Sequence, residues 1–187
     1  VSQADQVYLN RMRGSFIGPF TLSISEADIT QLGATIESAD SPRIGERVQE
    51  MIDGKLNTYV VYEDYDNEPQ YASLDILFDS AYYLSRYAIT SQVYRDAPKS
   101  WNVRTIKDRR RIDLDQQNSQ SFHNMETIEN DIPFLDVVDN VSLFLSGDSF
   151  RRYLRINEIQ FFGRALPGTE LASHRVLLAD VDNDSDL

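Results

Sequence analysis

The sequence predicts an all-β fold, a sandwich or a barrel, and three observations predict it. Short segments rich in Val, Ile, Thr, Tyr and Phe alternate apolar with polar residues, the period of a half-buried strand. Turn-forming clusters such as Asp40-Ser-Pro-Arg43, Asp53-Gly54 and Gly147-Asp-Ser149 separate them. Apolar residues at helical spacing are almost absent. Ten Tyr, nine Phe and a hydrophobic fraction of 41% in 187 residues are enough for the core of one large domain.

Taken in order, residues 4–12 read as a short helix and 14–20 as a turn-rich connector, with a strand-like alternation over 20–24. Residues 29–38 place Leu32, Ala34 and Ile36 at alternate positions and read as a half-buried strand. One helical turn over 45–51 precedes the Asp-Gly corner. Further strands are expected over 58–62, 72–78, 83–91 and 101–106, with an acidic loop at 63–69 and a turn-rich loop at 94–100. Trp101 opens an alternating strand and is expected in the core. Lys107-Asp-Arg-Arg-Arg111, beside Asp113 and Asp115, reads as a solvated turn and strand edge. Residues 116–131 are polar and loop-like, 134–145 contain a strand, and 153–162 form a final strand closed by Gly163. The expected domain spans 29–164, with an N-terminal extension or linker at 1–28 and a C-terminal extension at 165–187.

The net charge of -12 argues against nucleic acid and against an anionic membrane surface as partners. No apolar run approaches membrane-spanning length, so no membrane insertion is expected. The N-terminus shows no charged-then-apolar signal pattern, which leaves secretion open for a chain cut from a precursor. The absence of cysteine excludes disulfides, catalytic thiols and thiolate metal sites.

Asp53-Gly-Lys-Leu-Asn-Thr58 places a carboxylate, a tight bend, an amide and a hydroxyl within six residues. Hard cations take oxygen ligands in such arcs, with backbone carbonyls completing the set. The other reading is an ordinary Asp-Gly turn.

Ile52-Asp-Gly-Lys-Leu-Asn-Thr58, Leu74-Asp-Ile76, Tyr87-Ala-Ile-Thr-Ser91, Arg95-Asp-Ala-Pro-Lys-Ser-Trp101 and Ile156-Asn-Glu-Ile-Gln-Phe-Phe-Gly163, in that order, resemble discoidin-type domains. These are also called coagulation factor 5/8 type C domains and include the bacterial family 32 carbohydrate-binding modules. The likeness covers about three quarters of the chain. It implies an all-β jelly-roll sandwich of two antiparallel sheets, galactose-binding-domain-like, and a structural calcium. Carried over residue by residue, Asp53 supplies a carboxylate, Thr58 its hydroxyl and carbonyl, Glu50 and Lys55 carbonyls, and Glu158 closes the shell, with the Asn157 carbonyl beside it.

Ligand contacts on such a scaffold sit in loops at one end of the sandwich. Sugars need an aromatic face for C–H groups and charged or amide groups for hydroxyls. The loops offer Tyr62, Asp64, Tyr65 and Tyr71, then Arg95 and Asp96, and His123 in the polar stretch after Gln116. Arg95 leads, because sugar-binding relatives often place an arginine after this strand; a surface ion pair to Asp96 or Asp64 is its bland alternative. For each tyrosine the bland reading is core or rim packing. Many galactose-binding relatives carry a His before the aromatic that leads into the Leu-Asp-Ile strand; here Gln70 stands there, which argues against a galactose-type preference. The acidic 63–66 stretch argues against polyanionic glycans.

His123 and His174 are the two histidines, and no nucleophile triad, His-x-x-x-His pair or phosphate-cradling glycine loop accompanies them. Acid/base pairs of carboxylates ordinarily need a cleft built by a larger chain. Asp180, Asp182, Asp184 and Asp186 resemble the start of calcium-binding Asp-x-Asp repeats, or are a disordered acidic tail. The expectation is a non-catalytic carbohydrate-binding module, extracellular or at the cell surface and tethered to other domains, an accessory to an enzyme at most. An adhesion domain for protein or lipid on the same sandwich, or a structural spacer, is the alternative.

Overall fold

The computed structural model describes residues 5–10, 16–22, 26–63, 70–133, 137–148 and 151–165, with side chains from Glu26 onward. The elements are β1 (Asp5–Asn10), β2 (Phe16–Leu22), β3 (Ala27–Asp28), a 3-10 turn at Ile29–Leu32, β4 (Thr35–Ser38), a second 3-10 turn at Val48–Ile52, β5 (Val60–Glu63), β6 (Tyr71–Ser91), β7 (Ser100–Lys107), β8 (Arg110–Gln117), β9 (Glu126–Asp131), β10 (Val137–Ser146), β11 (Tyr153–Ile156) and β12 (Glu158–Ala165).

Every pairing among them is antiparallel. β1 and β2 pair with each other, as do β5 and β11. The long strand β6 organises the rest. Its first half pairs with β4 and β10, and β10 continues through β7 to β8. Its second half pairs with β12 and β9, and β12 pairs with β3. One strand thus serves both layers of a jelly-roll β-sandwich, and the inward side chains of the two layers form a single core. Phe161 of β12 packs on Phe78 and on Tyr87, from the two halves of β6, at 5.9 Å in each case. Trp101 is buried, as its alternating strand predicts.

Several elements differ from the sequence expectations. Residues 5–10 form a strand instead of a helix, and the supposed connector is largely β2; the two satisfy each other's backbone groups as a ribbon. Within 29–38 the Asp28 carboxylate caps a 3-10 turn that ends on Gly33 at φ 104 before β4 begins. Leu32 therefore points to solvent while Ala34 and Ile36 are buried. The two strands expected over 72–78 and 83–91 are one, because Asp79–Ala81 stay extended while β6 exchanges β4 for β12 along one edge and β10 for β9 along the other. Residues 126–131 are an edge strand with no fully buried residue, so polar composition disguised it as loop. The final strand is split at Asn157, whose backbone N–H and side chain turn to other partners.

Candidate functional site

Two places carry unusual chemistry, and both lie where the second half of β6 ends. The first is the Asp53 corner. The 3-10 turn at Val48–Ile52 delivers the chain to Asp53, and Gly54 at φ 76 makes the bend. The Gly54 N–H donates to Glu158 Oε1 at 3.0 Å, joining the corner to β12 across the sequence. Asn157 fastens the same junction: its Nδ2 donates to the carbonyls of Leu56 (3.0 Å) and Thr58 (2.9 Å), and its Oδ1 accepts from Gln92 N (2.8 Å).

Oxygens crowd inside this corner. Thr58 Oγ1 lies 2.8 Å from the Lys55 carbonyl, 2.9 Å from Asp53 Oδ1 and 3.4 Å from the Glu50 carbonyl. A hydroxyl has one proton to donate, so two of these contacts bring oxygen against oxygen with no hydrogen between. Glu158 is 1% exposed and its Oε2 has no hydrogen-bond partner. Burial first, then the charges of Asp53 and Asp28, push its carboxyl up to about 8 against the pull of the Gly54 N–H. An orphaned buried carboxylate oxygen beside a knot of hydroxyl, carboxylate and carbonyl oxygens is a donor set suited to a hard divalent cation. Two carboxylates match its charge. Among the described residues no group of three or more His, Asp or Glu side chains could hold a metal ion, so a cation here would need main-chain carbonyls in its shell. The Lys55 ammonium, 3.6 Å from Asp53 Oδ2, is largely solvent-exposed and neutralises only the rim.

The second place is the loop after β6. Arg95 is exposed, and its Nε donates to the hydroxyl of exposed Tyr94 at 2.8 Å, with the guanidinium 5.5 Å from that ring's centre. This holds a cation and an aromatic face side by side on the surface. Tyr94 N donates to Asn124 Oδ1 and Met125 N to the Gln92 carbonyl, so the His123 loop lies against the Arg95 loop. His123 is exposed and its Nδ1 meets Glu126 Oε2 at 3.0 Å. Asp96 sits lower: its carbonyl accepts from Arg155 N, and burial raises its carboxyl despite nearby Arg151 and Arg155. Tyr71 is half-exposed at the same end, paired in register with Ser146, whose carbonyl accepts from Lys99 N.

The structure therefore brings Arg95, Asp96 and His123 together and sets Glu50, Asp53, Lys55, Thr58 and Glu158 in one corner. Tyr62 needs correction as a ligand contact. It is 2% exposed, with its hydroxyl on Ser38 at 3.1 Å, on a strand whose Val60 and Val61 are buried as well. Gln70 is also buried. Asp64, Tyr65 and the Asp-rich tail lie outside the described residues. The sequence reading passed over Tyr94, although its place beside Arg95 in a turn-rich loop was a usable signal. It also passed over Tyr59, whose ring lies 3.5 Å from the Arg155 guanidinium, beside Gln92. Nothing in the sequence joins Tyr59 to Arg155.

No family model matches the sequence, and no curated protein matches it. Solved structures do. The fold is that of the discoidin-like domains, as found in family 32 carbohydrate-binding modules. The module of Clostridium perfringens NanJ, in complex with galactose, is 15% identical, with a TM-score of 0.60 over 74% of this chain and 99% of that one. The CpGH89 module CBM32-5 from Clostridium perfringens, in complex with GalNAc-β-1,3-galactose, is 14% identical, with a TM-score of 0.60 over 73% of this chain and 100% of that one. A family 89 glycoside hydrolase from Clostridium perfringens is 19% identical over 75% of this chain, which corresponds to 15% of the hydrolase, with a TM-score of 0.59.

Proposed function

We propose that this chain is a non-catalytic carbohydrate-binding module that grips glycan at the loop end through Tyr94 and Arg95, with His123 and Asp96 alongside. The observation that carries the reading is the exposed Tyr94–Arg95 pair on a fold whose solved relatives hold galactose or a galactose-containing disaccharide. A tyrosine face takes the C–H side of a pyranose, and the guanidinium donates to two hydroxyls in fixed geometry. Buried Gln70, in place of a ring-bearing donor, favours a specificity other than galactose. The family 89 hydrolase, of which the matched part is 15%, supports tethering to a larger enzyme, where modest affinity gains by avidity.

Within the same proposal, calcium occupies the Asp53 corner. Asp53 and Glu158 give carboxylates, Thr58 its hydroxyl and carbonyl, and Glu50 and Lys55 their carbonyls. The ion supplies charge for the orphaned Glu158 oxygen and chemistry of structural, not catalytic, kind.

A glycan array containing galactose, GalNAc, GlcNAc, glucose and mannose structures tests the sugar reading, with hits measured by calorimetry. We expect millimolar to micromolar binding that Arg95→Ala weakens about tenfold or more with an unchanged melting temperature. Absence of any hit, or a hit indifferent to both Arg95→Ala and Tyr94→Ala, overturns the loop-end site.

A further inference from the structure

The outer face of the β4–β6–β10–β7–β8 layer is not covered by any described element, and its side chains are arranged in rows. Register places Tyr71 and Phe144 nearest the loops, then Asp75, Ser142, Arg104 and Asp113, then Leu77, Asn140, Ile106 and Arg111. Four large apolar side chains stand exposed there: Leu77 at 57%, Ile106 at 48%, Phe144 at 44% and Tyr71 at 39%. Tyr71 and Phe144 lie with ring centres 5.8 Å apart and planes 24° from parallel. Two hollows that share Asp75, Ile106 and Ser142 indent the face, one of about 320 Å³, within the size range of small-ligand sites. From Tyr71 to Leu77 the face runs roughly 20 Å at about 3.3 Å per residue.

The chemistry of the middle row selects an occupant. Ser142 Oγ donates to Asp75 at 2.6 Å and Arg104 Nε to Asp113 at 2.6 Å, so donors and acceptors are held in place between two apolar bands. A protein partner would have to desolvate this charged row at the centre of its contact, where interfaces are ordinarily apolar. A polyhydroxylated chain replaces the water there with hydroxyls and lays its C–H faces on the rings and aliphatic side chains above and below. Glu37, Asp75 and Asp113 against Arg104 and Arg111 leave the face close to neutral, unlike the chain as a whole, which favours an uncharged polymer.

We propose that this face is a second carbohydrate-binding surface, taking an extended neutral polysaccharide across Phe144, the Asp75–Ser142 and Arg104–Asp113 pairs, and Leu77 with Ile106. It does not depend on the loop-end site. Affinity electrophoresis in gels containing xyloglucan, galactomannan or mixed-linkage β-glucan tests it. The intact chain is expected to be retarded by at least one of the three. Phe144→Ala, and separately Leu77→Ser with Ile106→Ser, are expected to reduce that retardation about fivefold or more, while Arg95→Ala leaves it. Because these side chains are exposed, circular dichroism and melting temperature should match the parent. Methyl resonances of Leu77 and Ile106 should shift with a xyloglucan oligosaccharide and stay fixed with galactose. No retardation in any gel overturns the proposal, as does retardation abolished by Arg95→Ala but untouched by both face variants, which leaves the loop-end reading standing alone. Methyl shifts on raising protein concentration without sugar would mark a self-association face and also overturn it.

Discussion

Glu158 is the residue on which the corner turns. Its carboxyl is pushed up to about 8 from an ordinary value of 4.5, chiefly by burial. The sign follows from linkage. Between those two values the folded chain keeps a proton that the unfolded chain has released, so stability falls as pH rises through the window and stays reduced above it. The penalty is on the order of a few kcal/mol. A bound divalent cation competes with that proton and favours the charged carboxylate. In chelator, the melting temperature should therefore fall from pH 5 to pH 8 more steeply for the parent than for Glu158→Gln. Excess calcium should flatten the parent's decline and leave Glu158→Gln unmoved. Equal slopes for the two proteins in chelator would remove Glu158 as the cause, and a calcium response surviving both Glu158→Gln and Asp53→Ala would remove the corner as the site. At this scale the sequence was informative where chemistry is local: Asp53, Gly54 and Thr58 are close neighbours, and Arg95 follows a strand in a turn-rich loop. It was silent where inward or outward pointing decides the role. Tyr62 and Tyr94 are both tyrosines near loops, and only the burial of Val60–Tyr62 on β5 sets the first apart.

Elements in this protein are held at their breaks by single residues. Asn157 separates β11 from β12 and is fully buried, with three side-chain hydrogen bonds to the corner loop and to Gln92. Asn157→Ala leaves two carbonyls and one N–H without partners, at roughly 1–3 kcal/mol for each group that water does not reach. Urea denaturation should show a loss of about 2–4 kcal/mol, larger than for any exposed loop residue; a loss under about 1 kcal/mol would mean that solvent replaces the side chain. Gly163 marks the bulge where β12 shifts register on β6. A Cβ there would stand 2.7 Å from the Tyr83 carbonyl oxygen, a backbone atom that cannot swing aside. Gly163→Ala should cost about 1–3 kcal/mol by the same measurement, in the range of overpacked sites. Patterning makes β7 legible, and β10 beyond its irregularity at Asp139–Asn140, because each alternates there with one face on the core. It merged β11 with β12, since nothing in an apolar run signals that an asparagine side chain has replaced the ladder. It cut β6 in two because Asp79–Ala81 carry no alternation while the strand changes partners.

For the molecule as a whole, the question is what keeps two layers in one arrangement when hydrophobic contact is non-directional. Tyr87 supplies direction. It rises from the β12 side of β6 into the core, where its hydroxyl donates to Asp115 Oδ2 on β8 at 2.6 Å and accepts from Trp101 Nε1 on β7 at 2.6 Å. One buried oxygen thus links the second half of β6 to two strands of the facing layer, and its proton is held well above the ordinary phenol range by burial and by Asp115. Tyr87→Phe keeps the ring's packing on Phe161 and deletes only this link. The Trp101 N–H then has no acceptor, whereas Asp115 retains Gln116 N and Gln117 Nε2. Leaving one buried donor unpaired costs about 1–3 kcal/mol, more than an exposed hydroxyl would. The variant should unfold at a lower urea concentration with unchanged cooperativity, and its Trp101 fluorescence should shift as the indole N–H loses its partner. Any calcium response and any retention by glycan should match the parent's, because the corner and the loop end are built from other contacts. A stability equal to the parent's would show that apolar packing alone sets the alignment of the layers.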